Sequence, residues 1–271
     1  MYVLDQRLHA AGEPLDFPRE VAGLTAPRGV CDSGSGAKAE FGRPPGDRID
    51  DAWIRMACMD AELFPRTRTE VSPGAVHVPD WLDMDRQRAL VEACRDWARP
   101  PAGLRTVRTP GGGTMTARQV CLGWHWYPYA YARTVVDGDG APVKPFPGWL
   151  DELGRRAVGE ALGAPASSYD IALINFYDGD ARMGMHRDGD EKADAPVVSL
   201  SLGDGCVFRF GNTESRAKPY TDVELRSGDL FVFGGPSRLA YHGVPRVYPG
   251  TAPPELGLSG RLNITLRVSG L

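Results

Sequence analysis

Residues 183–191, MGMHRDGDE, place His186 and Asp188 two positions apart. On an extended strand or at its end, residues i and i+2 point the same way, so an imidazole and a carboxylate there can share one ion. His242, in LAYHGVP, is the other histidine of the β-rich half and a candidate third donor. Two histidines and one carboxylate on one face of an octahedron leave three positions open, the arrangement of non-haem iron(II) oxygenases. Open positions are what a bidentate cosubstrate and O₂ require. An isolated HxD is common by chance, and HRD also opens a protein kinase catalytic loop. The asparagine which that loop needs five residues after the aspartate is here Ala193, and no glycine-rich loop with its lysine precedes it.

The last strand-like run, residues 261–267 (RLNITLR), puts Arg261, Asn263, Thr265 and Arg267 on one face and Leu262, Ile264 and Leu266 on the other. In a β protein whose apolar pattern requires burial on both sides, a polar inward face needs a reason. Buried guanidiniums are costly unless anions meet them, and arginine pairs with carboxylates through two parallel bonds. A dicarboxylate such as 2-oxoglutarate has two such groups. The solvated face of an amphipathic edge strand would show the same alternation. Asn175 and Tyr177, alternating on the run before the HxD, are candidates for further hydrogen bonds to the same ligand.

From Pro101 to Val136 there is no acidic residue, while Arg105, Arg108, Arg118 and Arg133 are present. Within it CLGWHWYPYAYAR interleaves Trp124, Trp126, Tyr127, Tyr129 and Tyr131 with polar residues. Cations for phosphate and aromatic faces for bases are the ingredients of single-strand or flipped-base binding. The same aromatics would equally serve a core. The RTPGGGTM stretch lacks the GK[ST] ending of a phosphate cradle and reads as a turn.

These residues need elements to hold them. An amphipathic helix is expected at about Met84 to Trp97, stopped by Pro100 and Pro101, and a second at about Gly148 to Leu162. Beyond it, DIALINFY, APVVSLSLG, CVFRFG, DVELRSGDLFVFGG and RLNITLRVSG are short, apolar or alternating, and punctuated by Gly, Asp and Pro. The expected fold is α+β and mainly β, a jelly roll buttressed by two helices. Residues 1–58 show no sustained period and many breakers, so disorder is expected there, and the segment is read as dispensable or as a mis-assigned start. Residues 59–271 form one expected domain, with a nucleotide-recognition lid at about 100–136 and the β core at about 170–270.

The 271 residues suit one main core. The five cysteines are odd in number and lack CxxC pairing, which reads as free thiols. A net charge of −4 means that any nucleic-acid contact must come from a local basic surface. No apolar run approaches a membrane span and the first residues do not read as a signal peptide, so a cytoplasmic monomer that avoids membranes is expected.

Taken together, NFY (175–177), HRDGDE (186–191), the SLSLG and FRFG strands, SGDLFVFGGPSRLAYHG (227–243) and RLNITLR (261–267) resemble the AlkB family of oxygenases. The similarity runs upstream through RTPGGGTM (108–115) and LGW (122–124), from Pro79 to Gly270. The resemblance implies a double-stranded β-helix with an N-terminal substrate-binding lid. It implies Fe(II) held by His186, Asp188 and His242, which would form the catalytic centre, and O₂ as co-reactant. It implies 2-oxoglutarate held by Asn175, Tyr177, Arg261, Asn263 and Arg267, with Thr265 on the same face. Arg267 is expected at the distal carboxylate and Arg261 nearer the iron. On the substrate side it implies Trp124 stacking on the target base opposite His186, Tyr131 near the substrate backbone, Asp190 reading the base edge or its cationic character, and Arg216 as a phosphate contact, with Arg133 a further substrate-binding candidate.

The implied activity is oxidative demethylation of alkylated DNA or RNA, at bases such as N1-methyladenine and N3-methylcytosine. It converts 2-oxoglutarate and O₂ to succinate and CO₂ and releases formaldehyde. An oxygenase acting on protein or small molecules, and a non-catalytic β-sandwich that binds nucleic acid, are the alternatives. Two features depart from the family pattern. Leu262 stands where an aromatic is frequent, and Asp178 and Asp180 make the loop before the HxD acidic.

Overall fold

In the computed structural model, residues 65–109, 111–165 and 167–271 are described. The expectations for residues 1–58 therefore lie outside the described residues. Among the described residues, fourteen strands and two α-helices are defined. In chain order they are β1 Thr69–Ser72, β2 Ala75–Val78, α1 Met84–Ala98, β3 Arg105–Arg108, β4 Thr114–Leu122, β5 His125–Tyr127 and β6 Ala130–Ala132. Then follow α2 Gly148–Leu162, β7 Ile171–Tyr177, β8 Met183–His186, β9 Val197–Gly203 and β10 Gly205–Phe210. The chain closes with β11 Thr221–Leu225, β12 Leu230–Phe233, β13 His242–Tyr248 and β14 Arg261–Arg267.

An eight-stranded sheet in the order β1-β2-β12-β9-β14-β7-β4-β3 faces a four-stranded sheet in the order β11-β10-β13-β8. This is the expected jelly roll, a double-stranded β-helix. The two helices lie on the outer face of the large sheet. Their buried residues Leu90, Val91, Cys94, Leu150, Ala157 and Val158 join Val198, Leu200, Leu262, Ile264 and Leu266 in one apolar cluster. Between the sheets lies a second cluster, in which Phe208, Phe210, Phe231 and Phe233 pack ring against ring.

The helices form where their sequences start and stop them. Asp83 caps α1 by accepting the backbone N–H of Arg86 at 2.8 Å. Gly163 ends α2 in the left-handed conformation, φ +64°, which glycine adopts without a Cβ penalty. The cysteines among the described residues, Cys94, Cys121 and Cys206, are buried free thiols, as their count suggested. No helix among the described residues is long and apolar enough to cross a membrane.

The position of β14 decides the function of its polar face. It pairs with β7 on one side and β9 on the other, so it is a central strand and not the solvated edge that its alternation also allowed. Leu262, Ile264 and Leu266 face the helices, and Arg261, Asn263, Thr265 and Arg267 line a cavity between the sheets. Strand pairing sets Asn175 opposite Asn263 and Tyr177 opposite Arg261, which gathers the polar residues of two strands in one place.

Candidate active site

His186 ends β8 and His242 begins β13, and the two are directly opposed across the antiparallel pair. Their ring centroids are 4.5 Å apart. Asp188, just past β8, lies with Oδ1 3.6 Å from Nε2 of His186 and Oδ2 3.6 Å from Nε2 of His242. The donor atoms of the three residues lie within 4.8 Å of one another, and they are the one such cluster found among the described residues.

The hydrogen bonds fix the orientation of both rings. Nδ1 of His186 is 3.0 Å from the carbonyl of Gly184, and Nδ1 of His242 is 3.0 Å from that of Ala240. A carbonyl only accepts, so each Nδ1 carries a proton and Nε2 is the nitrogen left facing Asp188. Burial lowers the pKa of His242 to about 4, which keeps that ring neutral. Burial works against the Asp188 carboxylate, but Arg267, the two histidines and Arg238 outweigh it and hold the pKa at about 2. Asp188 Oδ2 is fully buried without a hydrogen-bond partner. An orphaned carboxylate oxygen beside two ring nitrogens is costly unless a cation meets it, so these residues fit Fe(II).

The cavity beside the triad is lined by Asn175, Tyr177, Ser199, Arg261, Asn263, Thr265 and Arg267 among others. At its metal end, Arg267 Nη2 pairs with Asp188 Oδ1 at 2.7 Å and Nη1 with Glu191 Oε1 at 2.9 Å. Arg267 is thus committed to the ligand carboxylate. At the other end of β14, Arg261 is 1% exposed, donates to Ser201 Oγ at 3.1 Å, and makes no ion pair with a carboxylate among the described residues. The order of the two arginines along the cavity is thus the opposite of that expected, Arg267 lying beside Asp188 and Arg261 at the far end. The reason is strand direction, since β14 runs with its C-terminal end beside the HxD.

Glu191 and Arg238 are site residues to which the sequence reading assigned no role. Glu191 accepts from Arg238 at 2.9 Å, from Arg267, and from the Tyr131 hydroxyl. Arg238 also donates through Nε to the carbonyl of Ala195 at 2.8 Å and through Nη1 to that of Asp188. Two carboxylates and two guanidiniums thus alternate without net charge behind the metal site. Such a buried set holds together only when every member is paired. Both residues stand inside the motifs that carry the resemblance, but their burial and pairing are visible only in the fold.

Several of the substrate-side candidates gather at the β5–β6 hairpin. Gly123 has φ +77°, and a Cβ there would come 1.9 Å from the carbonyl of Asp170, so only glycine lets the chain turn into Trp124. Trp124 does not line the cavity. Arg133 lies 3.4 Å from its ring centroid, and its indole N–H donates to Asp170 Oδ2 at 3.1 Å. The Arg133 guanidinium lies over the π face of Trp124, and no carboxylate pairs with it among the described residues. The tryptophan tied to the metal loop is Trp126, whose indole N–H donates to Asp190 Oδ2 at 2.8 Å. Tyr131 donates its hydroxyl to Glu191. Arg216 is exposed and lies 6.0 Å from the ring of Tyr241, which Arg187 approaches to 5.6 Å.

A facial triad of two histidines and one aspartate, set in a jelly roll beside a cavity with a buried arginine, defines a non-haem iron oxygenase. The comparisons with known proteins agree. Residues 74–267 match the model of the 2OG-Fe(II) oxygenase superfamily. An AlkB homolog of Caulobacter vibrioides, described as an alpha-ketoglutarate-dependent dioxygenase, is 40% identical over 73% of this chain and 88% of its own length. The DNA N(6)-methyladenine demethylase ALKBH1D of Arabidopsis thaliana is 32% identical over 73% of this chain, which spans only 50% of that longer protein. The solved structure of OsALKBH1 is 32% identical, with a TM-score of 0.68 over 74% of this chain and 99% of that one. The chain belongs to the AlkB family of Fe(II)- and 2-oxoglutarate-dependent dioxygenases.

Proposed function

We propose that this protein removes methyl groups from the ring nitrogens of nucleic-acid bases by oxidation, with N1-methyladenine and N3-methylcytosine as substrates. The observation that carries the reading is the His186–Asp188–His242 cluster, with Asp188 and His242 buried, beside a cavity that ends at Arg261, a guanidinium with no ion pair among the described residues. The names of the relatives, among them a DNA demethylase, support a nucleic-acid substrate.

His186, Asp188 and His242 would hold the iron through two Nε2 atoms and a carboxylate oxygen. Arg261 would receive the distal carboxylate of 2-oxoglutarate, with Tyr177 and Asn175 beside it on β7, while Asn263 and Thr265 brace the same wall. When bound, iron and cosubstrate supply the oxidation that hydroxylates the N-methyl carbon, after which formaldehyde leaves and the base is restored. Asp190, anchored by Trp126, would face the alkylated ring, whose positive charge favours a carboxylate neighbour. A base that cannot pair is also cheap to flip from its stack. The exposed Arg187 and Arg216, both near the half-buried ring of Tyr241, form a cationic and aromatic patch next to His242 in the chain, suited to phosphate and stacked bases.

The test is anaerobic reconstitution with Fe(II) and 2-oxoglutarate, followed by admission of air and mass spectrometry of oligonucleotides carrying N1-methyladenine, N3-methylcytosine or N6-methyladenine. Loss of one methyl group from either of the first two, abolished by EDTA and restored by Fe(II), is the expected result. Succinate release that no methylated oligonucleotide stimulates would move the substrate to protein or small molecules.

A further inference from the structure

A row of side chains runs across the large sheet from β3 to the cavity. Arg105 on β3 is opposite Gln119 on β4, and Gln119 is opposite Asn175 on β7. Arg105 Nη1 donates to Gln119 Oε1 at 3.3 Å, and Gln119 Nε2 donates to Asn175 Oδ1 at 3.1 Å. The direction of this chain follows from chemistry. A guanidinium has donors only, so the end of Gln119 that meets Arg105 must be its carbonyl. Its amide nitrogen must then meet Asn175, and the end of Asn175 that meets a donor must be its carbonyl. The Asn175 NH₂ group is left over at the cavity wall, where it has no hydrogen-bond partner among the described residues.

Two further observations sharpen this. Gln119 is 2% exposed, so water does not compete for its amide, and the Cys121 thiol also approaches its Oε1 at 3.5 Å. The facing amide, Asn263, is already committed, with Nδ2 donating to Ser199 Oγ at 2.7 Å and Oδ1 accepting from Thr265 at 2.9 Å. Asn175 is the amide whose donors remain for a ligand. Arg105 also donates to the carbonyl of Trp126, so the row begins under the β5–β6 hairpin.

We propose that Gln119, oriented by Arg105, is a positioning residue that locks Asn175 as a donor toward a carboxylate of the cosubstrate; this rests on the reading of the cavity as the 2-oxoglutarate site. Gln119→Glu tests it. A carboxylate at that position accepts from Arg105 and from Asn175 alike, so the Asn175 amide turns over and shows its carbonyl to the ligand. Gln119→Leu leaves Asn175 free to turn either way.

Binding of 2-oxoglutarate is measured by calorimetry on Mn(II)-loaded protein without oxygen, beside Mn(II) affinity and melting temperature as controls. The expected losses of 2-oxoglutarate affinity are about tenfold or more for Gln119→Glu and about two- to fivefold for Gln119→Leu, with Mn(II) affinity unchanged. In an Asn175→Ala background both losses should vanish, because the group being oriented is gone. Equal losses in the two variants, or a Gln119→Glu loss that persists undiminished without Asn175 and so reflects charge alone, would overturn the proposal. Should Gln119→Glu not fold, Arg105→Met releases Gln119 and predicts a partial loss that likewise disappears in the Asn175→Ala background. Wild-type protein that binds Mn(II) but not 2-oxoglutarate would instead overturn the reading of the cavity.

Discussion

The two walls of the site are built differently. The inner wall, on β7, β9 and β14, stands on central strands whose neighbours on both sides hold each side chain in register. Its polar groups are buried and largely committed, and the Asn175 amide left over there, like Asp188 Oδ2 past β8, marks where something else binds. The outer side carries the short β5–β6 hairpin and the Arg187–Tyr241–Arg216 patch. There Tyr129 is 77% exposed, and Arg133 and Trp124 satisfy each other. The groups that the proposed chemistry needs in one place are thus locked by strand pairing, and those that the same reading gives to a polymer of varying sequence rest on the surface.

That contrast breaks most sharply at the metal. Asp188→Ala is expected to abolish turnover and to weaken Mn(II) binding by more than about a hundredfold, since even residues that only orient metal ligands cost about 10- to 100-fold; calorimetric titration of Mn(II) measures it. At the far end of the same wall, Arg261→Lys should raise the dissociation constant for 2-oxoglutarate on the order of tenfold or more. An ammonium cannot reproduce the fork of a guanidinium, and Mn(II) affinity should stay unchanged. Equal tolerance of Lys and Arg would remove the distinction between a built pocket and a merely cationic one.

On the outer side, Arg187→Ala and Arg216→Ala should weaken oligonucleotide binding only a few-fold each. The loss should be similar for every sequence, and each variant should lower the salt-dependence slope by about one in fluorescence anisotropy titrations. A sequence-dependent loss would make them base readers.

The smallest effect is on acid stability. In the metal-free protein the Asp188 pKa is held at about 2, below the ordinary aspartate value of 3.8. A carboxylate with a depressed folded-state pKa contributes stability above its unfolded pKa and loses it as the pH falls through its folded pKa. The unfolding midpoint of wild type should therefore exceed that of Asp188→Asn near neutral pH, and the gap should narrow between about pH 4 and about pH 2, read by urea denaturation. A gap that stays constant in acid would mean that the carboxylate charge is not what the surrounding cations stabilise.

How much of this was legible beforehand depended on whether a feature was local. The i, i+2 spacing of His186 and Asp188 and the alternation of 261–267 are local, and both survive in the fold. Both helices emerge within a residue of their expected bounds, because capping and apolar spacing are read over a single turn. The order of Arg261 and Arg267 along the cavity was a different matter: alternation places them on one face but says nothing of which end of β14 meets β8 and β13. Trp124 and Trp126 likewise stand two residues apart, and only the turn at Gly123 and the partners Asp170 and Asp190 separate their roles.

Sequence by itself determined the chemistry that is available here: which donors exist, which face of each strand they share, and hence that a metal and a dicarboxylate suit them. Tertiary structure decided who is paired with whom. Glu191 joins Arg238 from 47 residues away, and Gln119 meets Asn175 from 56. Such pairings, and with them the direction in which an amide points, follow from strand order and register across the sheet, which no short window of sequence contains.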